Sequence, residues 1–171
     1  MRAAAAIVTA FAFTGPAAAM QLTSPDLKAD APMPLLHVYT RCGGQNTSPA
    51  LAWSGQPKAA KSLVLTMIDE SVKPAGWSHW VVVDLPASAS GLGRGAAPPA
   101  GARAIVSNFG DAAYAGPCPP HGTGVHRYVV TVWAMPTAKL EIGADAKAAE
   151  VSAMLQKAAL DHASIAVTAE R

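Results

Sequence analysis

The sequence predicts a mainly β fold of antiparallel, sandwich-like architecture, with one α-helix near the C-terminus. Three observations lead to this prediction. Runs of β-branched and aromatic residues are separated by segments rich in glycine and proline, which is typical of strands joined by turns. Apolar residues recur at helical spacing only after Asp145. Because strands and helices do not alternate along the chain, the pattern favours antiparallel sheets over a parallel one.

Four segments are predicted to be the main strands. Ser62–Asp69 is apolar on both of its alternating faces, so we expect a central strand that is covered on both sides. Trp80–Leu85 has the same character and is predicted to be a second buried strand. Tyr128–Met135 is a run of β-branched and aromatic residues, and Ser164–Thr168 is predicted to be a further strand.

Shorter elements lie between these strands. Leu35–Arg41 alternates weakly and is predicted to be a strand, as is Ala50–Trp53. Cys42–Pro49 is predicted to be a tight turn, because its glycines and its serine before proline disfavour a helix. Pro86–Ala104 is rich in Gly, Pro, Ala and Ser, which predicts a long surface connection.

The helix is predicted from a set of residues at helical spacing, with Asp145 as its N-cap. The set consists of Val151, Met154, Leu155, Ala158, Ala159 and His162. His162 is then expected at the C-terminal end of the helix, where a cation interacts favourably with the helix dipole.

The composition excludes several classes of protein. A length of 171 residues is ordinary for one domain with a substantial core. Charged residues make up 14% and apolar residues 51%, which argues against disorder. The net charge is +2 and lysine and arginine do not cluster, so we do not expect nucleic acid as a partner.

The N-terminal segment has the order of regions of a secretory signal peptide. A basic start is followed by an apolar stretch and then by small residues up to Ala19. The apolar stretch is too short to span a bilayer, and proline, glycine or charge interrupts every later one. We expect cleavage after Ala19, which leaves a chain that begins at Met20 or Gln21. The predictions are a signal peptide at 1–19, a single domain at 20–171, no transmembrane segment, and a periplasmic or secreted location. The alternative is a buried N-terminal helix.

Export bears on how the two cysteines are interpreted. In an oxidising compartment, Cys42 and Cys118 are expected to form a disulfide. Closing a loop of roughly 75 residues would stabilise the fold by about 4 kcal/mol in the chain-entropy model. Two free thiols or a catalytic Cys118 are the alternatives, because spacing alone does not show that the two sulfurs meet.

Candidate functional residues occur at the ends of the predicted strands. Asp69, His79 and His126 each lie at such an end, beside a sharply bending loop. One carboxylate and two imidazoles can bind an anion, coordinate a metal or perform acid–base chemistry. His126 and Tyr128 are two residues apart in a strand, so both project to one face and can donate hydrogen bonds to phosphate oxygens. Trp77 is the tryptophan predicted to line a pocket.

Each of these residues also has a simple structural interpretation. A histidine at a strand end is often only solvated, and Asp69 could merely cap the following turn. His37, His121 and His162 are left out of the site, and His121 is expected to be exposed on its loop. The common templates for hydrolases, metalloproteases and thiol–disulfide exchange are absent from the sequence. We therefore predict no catalytic residue, no metal site and no cofactor.

Three segments resemble those of a known family, the phosphatidylethanolamine-binding proteins, in its bacterial Raf kinase inhibitor-like branch. Cys42–Trp53 is similar to the opening signature of that branch, with its paired glycines, Ser-Pro and tryptophan. Trp77–Val82 resembles the central histidine motif. Tyr114–Tyr128, with Gly-Pro-Cys-Pro-Pro followed by His-Arg-Tyr, is the most specific segment. The resemblance covers about Leu35 to Thr168.

The resemblance implies both a fold and a binding site. The expected fold has a large antiparallel sheet packed with a smaller second sheet, plus a C-terminal helix. The expected site is a small anion-binding cavity, with Gly116–Pro120 as a stiff wall that Cys118 pins to the turn at Cys42. The residues expected to bind ligand are Asp69, His79, Gly116, Pro119, His126 and Tyr128. Members of the family accept phosphorylethanolamine-type head groups, phosphate or acetate in this cavity.

One segment departs from the family pattern. The family usually has Asp-Pro-Asp-x-Pro, where this chain has Asp69–Pro74. The first aspartate is kept, Ser71 replaces the second, and one residue is inserted before the proline. One wall of the cavity is therefore expected to differ in charge and shape, and Lys73 could add a positive charge for an anion.

Three functions compete at this point. The leading one is an exported, non-enzymatic binding protein for a small anionic or phosphorylated ligand. A second is a hydrolase in which His126 acts as a general base, supported by Asp69 and His79. A third is a protease inhibitor or other interaction protein that docks an unknown protein partner through Pro86–Ala104 or the N-terminal segment.

Overall fold

The computed structural model describes residues 19–143 and 148–171, which form two antiparallel sheets and one α-helix. The predicted signal peptide, apart from Ala19, and the predicted N-cap Asp145 lie outside the described residues. The smaller sheet has the strand order β1-β2-β5. These strands are Gln21–Thr23, Leu51–Ser54 and Gly91–Leu92.

The larger sheet has five strands in the order β6-β4-β3-β7-β8, and all neighbours in it are antiparallel. In chain order the strands are β3 (Ser62–Asp69), β4 (Trp77–Pro86), β6 (Arg103–Ala104), β7 (His126–Met135) and β8 (Asp161–Ala169). The predicted mainly β fold is confirmed, with one large and one smaller sheet and with β3 at the centre of the large one.

The large sheet is covered on both faces. On one face, β3, β4 and β7 pack against the smaller sheet through Leu63, Leu65, Met67, Val82, Val130, Val132, Leu51 and Trp53. On the other face, Val64 and Met135 pack against Val151 and Leu155 of helix α1 (Ala148–Ala158). Burying one such aliphatic side chain contributes about 1.5–3 kcal/mol, so β3 is fixed from both sides.

The predicted position of His162 at the end of the helix was wrong. The helix ends at Ala158, and His162 lies in β8 opposite Trp133 of β7. The backbone N–H of Leu160 donates to Ala134 O at 2.8 Å, so pairing with β7 begins directly after the helix. His162 then stacks on Trp133 with a ring-centroid distance of 4.9 Å.

The predicted strand at Leu35–Arg41 was also wrong. The segment forms two short 3₁₀ turns, Leu35–His37 and Thr40–Cys42. Its carbonyls accept hydrogen bonds from the turn that follows, such as Val38 O from Asn46 N–H at 2.9 Å. The folded-back chain passes so close to Val38 that a side chain at Gly44 would collide with its carbonyl. A segment that satisfies its backbone internally in this way needs no neighbouring strand.

The segment Pro86–Ala104 contains two short strands, β5 and β6, in what was predicted to be a surface connection throughout. β5 pairs with β2 of the smaller sheet, and β6 pairs with β4 of the larger one. The segment therefore links an edge strand of each sheet. In residues 19–143 and 148–171, no helix has the length and apolar character that crossing a membrane requires.

Candidate functional site

The register of the large sheet brings the predicted residues to one end. Asp69, the last residue of β3, lies opposite Trp77 on β4 and opposite Tyr128 on β7. In an antiparallel sheet, the end of one strand lies beside the starts of its neighbours. His126 is two residues before Tyr128, so the two side chains share a face.

A β-bulge places His79 at the same end. In the pairing of β3 with β4, Met67 lies opposite Trp80 and Ile68 lies opposite Ser78. His79 is therefore the extra residue on β4, with no residue of β3 opposite it. A bulge redirects a side chain and bends the strand locally. Both His79 and the neighbouring Trp80 are buried, as are the other residues inside β4.

These residues surround a cavity of about 400 Å³. It is lined by Asp69, Val72, Trp77, His79, Phe109, Cys118, Pro119, Pro120, His126 and Tyr128. Five of the six residues predicted to bind ligand are among them, and so is Trp77, which is 39% exposed. Most of the wall is apolar or aromatic, and the polar groups converge from three strands. This composition is typical of a small-molecule pocket.

Asp69 holds His126 in place. His126 Nδ1 lies 2.6 Å from Asp69 Oδ2, and both side chains are buried. The other nitrogen, Nε2, lies 2.9 Å from Thr123 Oγ1. The second carboxylate oxygen, Oδ1, accepts the backbone N–H of Ser71 at 2.9 Å. Both oxygens of Asp69 are therefore engaged with protein groups, and the carboxylate orients the imidazole.

Of the segment that departs from the family pattern, Asp69 and Val72 line the cavity, whereas Ser71 and Lys73 do not. Ser71 is exposed, and its hydroxyl accepts the backbone N–H of Arg127 at 2.9 Å. The Arg127 guanidinium pairs with Glu70 at the surface. Lys73 lines a separate groove, together with Thr131 and Trp133. This groove lies on the face of the large sheet that carries helix α1.

His79 is held in one tautomer by the backbone. Its Nδ1 lies 2.8 Å from the carbonyl oxygen of Ala115, which can only accept, so Nδ1 carries the proton. Within residues 19–143 and 148–171, Nε2 has no hydrogen-bond partner. Burial lowers the pKa of His79, although the hydrogen bond to Ala115 and the charge of Asp69 oppose this effect. The neutral ring therefore offers an unpaired nitrogen to the cavity.

Tyr128 contributes a phenol next to the same carboxylate. The residue is 1% exposed, and its ring packs edge-on against His79 at 5.0 Å between centroids. Burial raises the pKa of the phenol, and the nearby Asp69 charge raises it further. Tyr128 thus stays protonated at physiological pH and remains a hydrogen-bond donor.

Gly116 does not line the cavity. Its backbone N–H donates to Asn46 Oδ1 at 2.7 Å. A side chain at this position would collide with the backbone of His37 and Tyr39. Gly116 is therefore needed for a close approach of two chain segments, which positions the wall behind the cavity.

The predicted disulfide is present and forms part of that wall. Cys42 and Cys118 are bonded, with a Cα–Cα distance of 5.6 Å, and Cys118 lines the cavity. Backbone hydrogen bonds hold the same segment on both sides, from Ala115 N–H to His79 O at 3.0 Å and from Tyr39 N–H to Pro117 O at 3.1 Å. The segment is a fixed wall. His121, beyond it, is exposed as expected.

Sequence reasoning missed Val72, Phe109 and Thr123. Phe109 contacts His79 at 4.8 Å and Trp77 at 6.3 Å between ring centroids, and so closes one side of the cavity. In the sequence, the only feature that distinguishes Phe109 is that it precedes a glycine shortly before the Gly/Pro-rich loop. Which side chains such a loop brings to a site depends on its path in three dimensions, which spacing does not give.

Comparison with known proteins agrees with this geometry. A family model described as "Phosphatidylethanolamine-binding protein" matches residues 23–170. The protein YbcL of Escherichia coli K12 is 39% identical over 152 residues, which cover 84% of this chain and 83% of the relative. YbhB of the same organism is 38% identical over 154 residues, with 85% and 97% covered.

Two solved structures are similar to this one. The crystal structure of Escherichia coli YbcL, described as a member of the mammalian PEBP family, superposes with a TM-score of 0.84 at 35% identity. It covers 90% of this chain and 99% of the other. A phosphatidylethanolamine-binding protein homologue, CT736 of Chlamydia trachomatis, gives a TM-score of 0.75 at 30% identity, with 90% and 98% covered. The chain therefore belongs to the phosphatidylethanolamine-binding protein family.

Proposed function

We propose that this chain is an exported, non-enzymatic binding protein for a small anionic or phosphorylated ligand, held in the cavity at Asp69. One observation carries the proposal. His79 and Tyr128 offer an imidazole nitrogen and a buried phenol to a rigid cavity of about 400 Å³. This volume is near the lower end of ordinary ligand pockets, about 300–1,000 Å³, which suits a phosphate or a head group.

The chemistry of recognition follows from what lines the cavity. No lysine or arginine is among the lining residues in the described part of the chain. An anion is therefore held by the Tyr128 hydroxyl and by His79 once its Nε2 takes up a proton. The surrounding Trp77, Phe109 and Pro119 exclude water, which strengthens each charge-assisted hydrogen bond.

The proposed location has three supports. The segment 1–19 has the composition of a signal peptide, and the disulfide suits an oxidising compartment. A relative in Mycobacterium tuberculosis, 34% identical over 151 residues, is named as a lipoprotein, LppC. A lipoprotein is an envelope protein, so we place this chain in the cell envelope or outside it.

A titration tests ligand binding directly. Inorganic phosphate and O-phosphorylethanolamine are added to isotopically labelled protein, and the imidazole NMR signals are followed. We expect the signals of His79 and His126 to move at millimolar ligand. The exposed His121 and His162 serve as internal controls and are expected to stay in place. Unchanged signals for both cavity histidines would falsify the binding proposal.

One observation favours a second candidate function, hydrolysis. His126 lies between Asp69, at 2.6 Å, and the hydroxyl of Thr123, at 2.9 Å. The order is that of a hydrolase in which a carboxylate orients a base and the base contacts a nucleophile. However, Thr123 Oγ1 also donates its only proton to Pro120 O at 2.8 Å. His126 Nε2 must then donate to the hydroxyl, so it cannot act as a base in this arrangement. We therefore rank binding first.

Esterase and phosphatase assays separate the two functions. Under the binding proposal, His126→Gln leaves the background hydrolysis of activated esters unchanged. A loss of about 100-fold, the scale of a general base, would support the hydrolase instead. The third alternative, a protease inhibitor or other interaction protein that docks its partner through Pro86–Ala104 or the N-terminal segment, stays a prediction.

A further inference from the structure

Met20 marks the point where the chain enters the fold. Ala19 is exposed, whereas Met20 is only 6% exposed and its side chain belongs to the core between the two sheets. β1 begins at the next residue, Gln21. The boundary between an accessible residue and a buried one therefore lies at the bond where the predicted signal peptide ends.

The backbone nitrogen of Met20 has a carboxylate partner. It lies 3.0 Å from Oδ2 of Asp161, the first residue of β8. The other oxygen of that carboxylate, Oδ1, accepts the backbone N–H of His162 at 2.8 Å. Asp161 itself pairs with Ala134 of β7, so the carboxylate is fixed on the large sheet.

We propose that cleavage between Ala19 and Met20 is a maturation step that creates an ion pair between the new α-ammonium group and Asp161. A protease of the signal-peptidase class adds water across the peptide bond. The C–N bond breaks, Ala19 leaves as a carboxylate, and the nitrogen of Met20 ends as an ammonium group by taking up the carboxyl proton. The inference rests on the proposed export, because only an exported chain meets this protease.

The ion pair ties the two sheets together at one edge. Cleavage replaces a neutral amide donor with a positively charged one, so the hydrogen bond to the carboxylate gains the attraction between opposite charges. β1 lies beside β8, so a bond at Met20 fixes the first strand of the smaller sheet to an edge strand of the larger one. The contact also selects between the two expected starts, because a chain that begins at Gln21 lacks the buried Met20 side chain altogether.

Chains with different starts test the inference. Purified, oxidised protein is prepared with Met20 first, and separately with Ala19 first, each start being verified by mass spectrometry. The Ala19 start keeps the charge but displaces it by about 3.8 Å, the spacing of successive Cα atoms. We expect the Met20 start to have the higher Tm, by about 2–4 °C for a chain of this size.

Asp161→Asn identifies the partner. The amide keeps an oxygen that can accept the N–H of His162 but removes the charge, so the difference between the two starts is expected to vanish in this variant. Asp111→Asn, at an exposed carboxylate elsewhere, is the matched control and is expected to preserve the difference. Equal Tm values for the two starts in the unsubstituted protein would overturn the inference. A difference that persists in Asp161→Asn would overturn it too.

A chemical measurement covers the case in which Asp161→Asn fails to fold. At neutral pH, an amine-reactive reagent should modify the α-amino group several-fold more slowly in the Met20 start than in the Ala19 start. Equal rates contradict the ion pair. These outcomes are independent of ligand binding: a protein that ignores phosphate but gains stability from the Met20 start upholds this inference and contradicts the proposed function.

Discussion

Two buried histidines, His37 and His79, bond the backbone in nearly the same way and differ in what surrounds the rest of the ring. They are 1% and 3% exposed. Each directs Nδ1 at a backbone carbonyl, Thr47 O at 2.7 Å for His37 and Ala115 O at 2.8 Å for His79. Each also has an aspartate nearby, and Asp26 Oδ2 lies 3.8 Å from Nε2 of His37.

The difference lies in what surrounds the second nitrogen. Near His37, the carboxylate of Asp26 also binds the Arg94 guanidinium. The hydrogen bond from Arg94 lowers the pKa of Asp26 to about 2. The Tyr114 hydroxyl donates to His37 O at 2.7 Å, and the chain at Gly116 packs directly against that carbonyl. His79 instead faces a cavity of about 400 Å³. Burial and a hydrogen-bonded Nδ1 therefore do not distinguish the two histidines, whereas the cavity beside His79 does.

The largest expected effect comes from the bond that joins the two regions. Cys42 follows the turn that carries His37, and Cys118 lines the cavity at His79. Replacing both cysteines with serine frees a loop with a sequence separation of 76 residues. In the chain-entropy model this lowers the free energy of unfolding by about 4 kcal/mol. Urea denaturation of the double variant measures it, and reductant should have the same effect on the unsubstituted protein only. A change below about 1 kcal/mol would show that other contacts already fix the wall.

The next prediction concerns His37 alone. His37→Asn keeps a donor near Thr47 O but removes the rest of a buried ring. We expect a loss of about 2 kcal/mol in the free energy of unfolding, as for other buried truncations. Phosphate affinity should stay unchanged, because His37 does not line the cavity. Denaturation combined with phosphate titration checks both parts, and a loss of affinity in a folded variant would contradict the distinction drawn between the two histidines.

The matched substitution His79→Asn should have the opposite profile. The amide can still donate to Ala115 O, whereas the nitrogen that faces the cavity is gone. We expect phosphate to bind about 10-fold more weakly, equivalent to about 1.4 kcal/mol for one lost hydrogen bond to a charged group. Isothermal titration calorimetry measures the affinity. An unchanged Kd would mean that His79 is structural, like His37.

The smallest effect is a pH dependence that follows from the lowered pKa of His79. Burial lowers its pKa in the folded state, so the unfolded chain takes up a proton first and stability falls as the pH drops below about 6.5. An anion favours the charged ring and reverses this loss. Sulfate, whose charge is constant between the two conditions, should therefore raise Tm more at pH 5 than at pH 8. Chloride at equal ionic strength is the control, and His79→Asn should abolish the difference. The same sulfate effect at both pH values contradicts the role of His79.

Much of the fold could be predicted because its signals are local. β3, β4 and β7 are runs of β-branched and apolar residues, and the structure confirms each of them within a few residues. The wrong predictions occur where tertiary contacts outweigh local preference. His162 continues a helical pattern, but the hydrogen bond from Leu160 to Ala134 places it in a strand. Leu35–Arg41 alternates like a strand, but its carbonyls are satisfied by the turn that follows.

The sequence by itself determined which residue types are present at the strand ends, that two cysteines were available, and that the motifs are those of one family. Only the tertiary structure decided how they are used. The bulge at His79, the pairing of Asp69 with His126 rather than with His79, and the closure of the cavity by Phe109 all depend on register and loop path. A side chain's chemistry is set by its type, but its protonation and accessibility are set by neighbours that are distant in sequence.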